Sequence, residues 1–411
     1  MKHLDKHWPK FSDILKAYQK CRLRKKFSPH QTQFEARLGE NLLALHREIH
    51  SRTYAPSISK CFVVLEPRPR EIFAAHFRDR IVHHLIVGVL ESSWEKKFSY
   101  SSFACRNKKG SYQAIRYLGQ KALSLSQGGH KSLFCLQMDL ASFFVTVHRP
   151  TLEGILTKEI RHPTLKWLTE LTYLHDPRTL CKIESSKEKM EKIPPHKSWF
   201  NQLPEFGIPI GNLTSQFGAN VYLNSLDHWI QRTLKPQAYI RYMDDLLLLD
   251  RDYEKLQNMI SPIDQFLFQN RRQNLNPKKT FLKNLRQEFL YLGYFISQDD
   301  LGHIQLKVSS KKKWALIQSL KELESSPLFP IHSDHPLGFP KVLKKTRDQI
   351  SSINARLGYI KHAKTYQVRK NSIEKLKEKL TNPQKIDKEY YDAWNPIGIK
   401  RGFKAIRLRS K

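Results

Sequence analysis

The stretch "YIRYMDDLLLLD", residues 239 to 250, sets Asp244 and Asp245 side by side between a strand-like run and four consecutive leucines. Adjacent like charges repel, while the flanking apolar residues draw the segment toward an interior. If Tyr239–Tyr242 and Leu246–Leu249 are two strands, Met-Asp-Asp falls at a hairpin turn, whose tip is exposed while its strands are buried. Taken alone, the pair also reads as an ordinary solvated turn, since Asp is common in turns for local hydrogen-bonding reasons. Asp139 adds a third carboxylate, again at the end of an apolar run, "LFCLQMD". Two such strands side by side would gather three acids next to a hydrophobic layer, an arrangement that needs cations. Hard divalent ions such as Mg²⁺ take carboxylate oxygens together with substrate phosphates. A pair of them about 3.5–4 Å apart can activate an attacking hydroxyl and stabilise a leaving pyrophosphate.

The elements that would hold these acids can be followed along the chain. Residues 1 to 60 read as helical and polar-basic. A strand-like "CFVVLEP" then leads into a segment dense in Arg and His, residues 68 to 98, and on to "SSFACRNKKGS". Residues 131 to 147 are apolar and β-prone. A Lys-rich stretch from about 176 to 204 reads as an exposed excursion. "GIPIGNLTSQ" turns at Gly211 into a helix on which Ala219, Tyr222, Leu223, Leu226 and Ile230 recur at helical spacing, predicting one buried face. A loop, "LNPKKT", and a short strand pair containing "FLYLGYFIS" follow. From Lys341 onward, 20 basic and 6 acidic residues and amphipathic patterns predict helices with a basic face. The alternating signals predict an α+β fold.

Composition narrows the partners. The 411 residues hold 71 Lys and Arg against 38 Asp and Glu, a formal charge of +33. So large a positive charge self-repels unless a polyanion takes it up, and nucleic acid is the default polyanion. The longest apolar runs are too short to span a bilayer, and "MKHLDKHWPK" lacks the apolar core of a signal peptide, so no membrane partner is expected. The five cysteines are scattered, odd in number and free of any Cys-x-x-Cys, which argues against a disulfide framework or zinc site and fits a reducing cytoplasm.

"YMDD" at 242 to 245, preceded by "DLASFF" at 139 to 144, resembles the active-site pair of reverse transcriptases. The resemblance continues in order through "REIFAAHFRDRIVHH", "SSFACRNKKGS", "GIPIGNLTSQ", "LNPKKT" and "YLGY" to a helical, basic end containing "LGYIKHA". Most reverse transcriptases carry Gln-Gly in the place of Ile210-Gly211. An apolar residue, Gly, three spacers and Ser-Gln is similar to the pattern of diversity-generating retroelement enzymes.

This resemblance implies a right-hand polymerase with an N-terminal extension and fingers (1–130), a palm whose antiparallel sheet packs on helices (131–300), and a basic helical thumb (301–411). It implies copying of an RNA template into cDNA from a primer and dNTPs with two Mg²⁺ ions, Mn²⁺ being a substitute. Asp139, Asp244 and Asp245 would be the metal ligands, with Leu140 in the same set, and Lys279 the general acid to pyrophosphate, Lys278 being adjacent. Arg70 would contact the triphosphate, with Arg68, Arg78 and Arg80 as competitors, and Arg78 and Arg80 otherwise on nucleic acid. Phe144 would gate the sugar. Ile210, Gly211, Ser215 and Gln216 would line the nucleotide pocket, and Ile210 in place of a hydrogen-bonding glutamine suggests errors opposite template adenine. Tyr291, Gly293 and Tyr294 resemble the primer grip. A small, basic, oligomeric accessory variability protein is the implied partner, and a bacterial or phage-encoded cytoplasmic enzyme the implied setting. A defence-type or group II intron-like reverse transcriptase, an RNA-dependent RNA polymerase and a non-catalytic RNA-binding scaffold are the alternatives. Phe144 argues against the RNA polymerase.

Overall fold

A computed structural model describes residues 4–23, 28–66, 68–325, 352–353 and 355–356. The chain forms two compact units, one of Met1–Lys121 with Lys131–Asn284, the other of Ala122–His130 with Leu285–Lys411. Ten strands occur among the described residues: β1 (Ser59–Val64), β2 (Arg70–Ala74), β3 (Phe134–Asp139), β4 (Cys181–Ile183), β5 (Ala238–Tyr242), β6 (Asp245–Asp250), β7 (Phe281–Asn284), β8 (Phe289–Tyr291), β9 (Tyr294–Gln298) and β10 (Ile304–Lys307). Helices interleave with these largely antiparallel sheets, as the sequence predicts for an α+β chain. No helix among the described residues is long and apolar enough to cross a membrane.

The first unit is organised by a four-stranded sheet of order β5-β6-β3-β7, antiparallel throughout. Leu246, Leu247, Leu248 and Leu249 are all fully buried. Successive residues of a strand point to opposite faces, so both faces of β6 are covered, and the leucine run needs no alternation. Leu136, Met138, Leu246 and Leu248 share a core with Tyr222, Leu223 and Leu226 of the Leu213–Trp229 helix. That helix buries more than the one face its spacing predicts, because the helices Phe77–Trp94, Arg149–Thr157 and Ile260–Arg271 all pack on it. Thr214, Ser215, Asn220 and Asp227 are among its buried residues.

A second sheet of the same unit, β2-β1-β4, pairs β1 antiparallel with β2 and parallel with β4. Strand β4 belongs to the 176–204 stretch, which the sequence presents as an exposed excursion. The stretch is instead partly an interior element, because Trp199 is 1% exposed and packs on Cys61, Phe73 and Val145. Arg178 pins it locally, donating to Asp176 and to the carbonyls of Trp199 and Gln202. Buried Glu71 accepts from Ser198 Oγ at 2.5 Å and from the Trp199 amide at 2.7 Å.

In the second unit, β8, β9 and β10 form an antiparallel sheet of order β10-β9-β8, followed by the Ser310–Ser325 helix. Tyr291 and Tyr294 are paired and buried at the β8–β9 turn, where Leu292 and Gly293 both have positive φ. A two-residue loop with that geometry matches the right-handed twist of its strands. "LGYIKHA" and nearly all of the basic stretch from Lys341 lie outside the described residues.

Candidate active site

The register of the central sheet decides where the three acids lie. Strand β6 runs antiparallel to β3, with Phe134 opposite Asp250 at one end and Asp139 opposite Asp245 at the other. Tyr242 pairs with Asp245, leaving Met243 and Asp244 as the two residues of a tight hairpin loop. Met243 has φ 59°, a conformation that costs a non-glycine residue energy and persists only where surrounding structure imposes it. Asp139 is buried; Asp244 and Asp245 are partly exposed.

Crowding shows in the electrostatics. Burial, and then the Asp139 charge, push the Asp244 carboxyl up to about 6. Burial, then Asp244 and Asp139, push Asp245 up to about 7. Lys279 opposes both shifts, helped by Arg70 at Asp244 and by Arg68 at Asp245. The Lys279 ammonium reaches Asp139 Oδ2 at 2.7 Å. Its delivery is built into "LNPKKT". The Asn276 amide donates to the Asp139 carbonyl at 2.8 Å, Leu275 bridges to Leu140, and the Asn276 side chain caps the short Pro277–Lys279 turn. Lys278, beside it, is exposed.

Three carboxylates and a charge deficit suit a hard divalent cation, and the ammonium at Asp139 stands where positive charge is wanted. Among the described residues no three His, Cys, Asp or Glu side chains are already arranged as a metal cage. Leu140, which is buried, has no donor atom in its side chain, so it could offer only its backbone carbonyl.

Phe144 sits in the short Phe143–Thr146 helix, its ring edge against Phe143, which is the buried core member of the pair. Its carbonyl accepts from the Ile208 amide at 2.8 Å, and the Val147 carbonyl from Gly207, which ties "GIPIG" to the segment after Asp139. Ile210 and Gln216 are partly buried, Ser215 is 2% exposed, and Gly211 is exposed with φ 103°, a Cβ there meeting Ile72 of β2 at 3.4 Å. Arg70 opens β2 and is exposed. Arg78 is engaged by Glu48 and lies over the Tyr54 ring, while Arg80 Nε donates to the Ala75 carbonyl at 2.9 Å. Tyr291, Gly293 and Tyr294 belong to the second unit.

One feature of the hairpin escaped the sequence reading. Arg241, fully buried in β5, donates to both carboxylate oxygens of Asp227, which is also fully buried. The hint was a charged residue inside an otherwise apolar strand, "YIRY", with no partner nearby in sequence.

A sequence model of the reverse transcriptase (RNA-dependent DNA polymerase) family matches residues 66–296. Protein YkfC of Escherichia coli (strain K12) is 23% identical over 319 residues, covering 68% of this chain and 77% of that protein. The family match takes in more than half of the chain, including the β3–β6 acids and Lys279. The chain therefore belongs to the reverse transcriptase family and is an RNA-directed DNA polymerase, a nucleotidyltransferase that takes a nucleic-acid template and dNTPs.

Proposed function

We propose that this chain synthesises cDNA on an RNA template at the tip of the β5–β6 hairpin, with Asp139, Asp244 and Asp245 holding two Mg²⁺ ions. The observation that carries the reading is the register that sets Asp139 opposite Asp245, with Lys279 2.7 Å from Asp139 Oδ2. Bound Mg²⁺ would supply charge to the primer 3′-hydroxyl and to the departing pyrophosphate. Ion binding would also hold Asp244 and Asp245 ionised at neutral pH, against the burial that raises them. Lys279 would donate a proton to pyrophosphate as it leaves. Arg70, with Arg68 beside it, would bind the triphosphate through forked guanidinium contacts. Phe144 would exclude a 2′-hydroxyl, and Ile210, Gly211, Ser215 and Gln216 would shape the base-pair pocket. Fingers, palm and thumb would follow the divisions at about 130 and 300, and the Tyr291–Tyr294 turn of the second unit would be a primer-binding element.

The diversity-generating type is the subtype we favour. Its support is the Ile210-Gly211-x-x-x-Ser215-Gln216 pattern, with Ile210 offering shape but no hydrogen bond. A site that loses a polar contact to a base pair loses discrimination. Errors at template adenines, delivery of the mutated cDNA to a target gene, and help from a basic accessory protein follow from that type. Primed synthesis on an adenine-rich RNA, first with dNTPs and then with NTPs, tests the reading when products are sequenced. Misincorporation concentrated at adenine, with dNTPs only, supports it. Uniform fidelity would remove the subtype, and equal use of NTPs the sugar gate.

A further inference from the structure

Arg241 lies in β5, two residues before the Met243–Asp244 loop of the hairpin, and all five of its guanidinium N–H groups have acceptors. Nε donates to Asp227 Oδ1 at 2.6 Å and Nη2 to Asp227 Oδ2 at 2.7 Å. Nη2 also donates to Ser102 Oγ at 3.0 Å. Nη1 donates to Asn220 Oδ1 at 3.1 Å and to the Met243 carbonyl at 3.0 Å. Asp227 takes a further bond from Tyr239 Oη at 2.7 Å, and Asn220 donates to the Ala104 carbonyl at 2.9 Å. The backbone is held as well, because Arg241 N–H donates to the Ser101 carbonyl and its own carbonyl accepts from Phe103 N–H.

A buried ion pair stabilises little by itself, since desolvation offsets the attraction. What this one offers is direction. Asp227 and Asn220 lie seven residues apart, on one side of the rigid Leu213–Trp229 helix, and they fix the plane of the guanidinium. That plane aims Nη1 at the carbonyl of Met243, the residue with positive φ, one peptide before Asp244. The strained turn is thereby tied to a helix in the core and not left to its two strands alone.

We propose that Arg241 is a positioning residue that fixes the Met243–Asp244 peptide, and with it the direction of the two hairpin carboxylates toward a divalent cation. The proposal rests on the reading of Asp244 and Asp245 as metal ligands. Lysine keeps the charge but has one nitrogen, which cannot span Asp227, Ser102, Asn220 and the Met243 carbonyl together.

The test compares the full chain with Arg241→Lys, Ser102→Ala and Asp244→Asn, each bound to primer and RNA template. Mn²⁺ affinity is read by electron paramagnetic resonance, beside the KM for dNTP, kcat, RNA affinity and a thermal melt. Loss of an outer partner of a metal ligand typically weakens metal binding or activity about 10–100-fold, and Arg241→Lys should fall in that range with KM and RNA affinity unchanged. Ser102→Ala, which spares the Asp227 pair, should move Mn²⁺ affinity the same way by a smaller factor. It carries the test if the lysine variant does not fold. Wild-type Mn²⁺ affinity in the folded variant, or a loss of RNA and dNTP binding with Mn²⁺ affinity intact, would overturn the proposal. Asp244→Asn separates the two levels. If it too binds Mn²⁺ like the unaltered chain, the ligand reading itself has failed.

Discussion

Lys279 Nζ stands 2.7 Å from Asp139 Oδ2, so a side-chain cation is already in place at the acid that ends β3. The pair bridges 140 residues of sequence and depends on the Asn276 amide bonded to the Asp139 carbonyl. An ammonium there can neutralise the acids and then serve the leaving group. Lys279→Ala should lower the single-turnover extension rate by about 10²-fold, the usual scale for loss of a general acid. Lys278→Ala should have a small effect, and similar losses for both would assign the lysines to backbone binding instead.

The hairpin acids give the metal-free chain a pH signature. Asp244 and Asp245 are raised from 3.8 to about 6 and about 7. A raised folded pKa means that the folded state binds protons more tightly than the unfolded one. The associated stability is complete below the unfolded value and is lost as pH rises through 6 and 7. The melting temperature of Asp245→Asn should therefore gain on that of the unaltered chain between about pH 4 and 7 in chelator and level off above that. Mg²⁺ should reduce the difference by stabilising the ionised carboxylates. A constant difference across that range would mean that Asp245 titrates normally.

Phe144 packs edge-on against buried Phe143 and is itself only partly buried. Phe144→Val should open space for a ribose hydroxyl and lower selection of dNTP over NTP by about 10-fold or more, with dNTP incorporation less affected. Competition assays with dGTP and GTP measure this. Unchanged selection would return Phe144 to a packing role.

Gly207 has φ 94°, and a Cβ there would run into the Trp199 indole, whose Nε1 donates to the Phe206 carbonyl at 2.6 Å. Gly207→Ala combines a disfavoured backbone with overpacking and should destabilise the first unit by about 3 kcal/mol. Urea unfolding followed by tryptophan fluorescence would report it. A shift near zero would show that the indole can move aside.

Much of the site could be read from the letters because its signals are local. Two acids between apolar runs announce a hairpin, and "LFCLQMD" announces its neighbour; β3, β5 and β6 carry them in antiparallel register. The turn at Gly211 likewise precedes the helix that it predicts. What stayed hidden depends on contacts between distant segments. Asp227 and Arg241 are 14 residues apart on different elements, and nothing local pairs them. Trp199 sits among lysines in a polar stretch, and its burial comes from Cys61, Phe73 and Val145 far upstream. The central helix shows one apolar face in its spacing, whereas its polar Asn220 and Asp227 are buried because Arg241 and Ser102 satisfy them.

The most direct measurement is primer extension on an RNA template with dNTPs and Mg²⁺, comparing the unaltered chain with a folded, RNA-binding Asp244→Asn variant. Extension by the first and a loss of about 10²-fold or more in the second, not restored by RNA excess, is the expected result. Equal extension by both would contradict a catalytic centre at the β5–β6 hairpin.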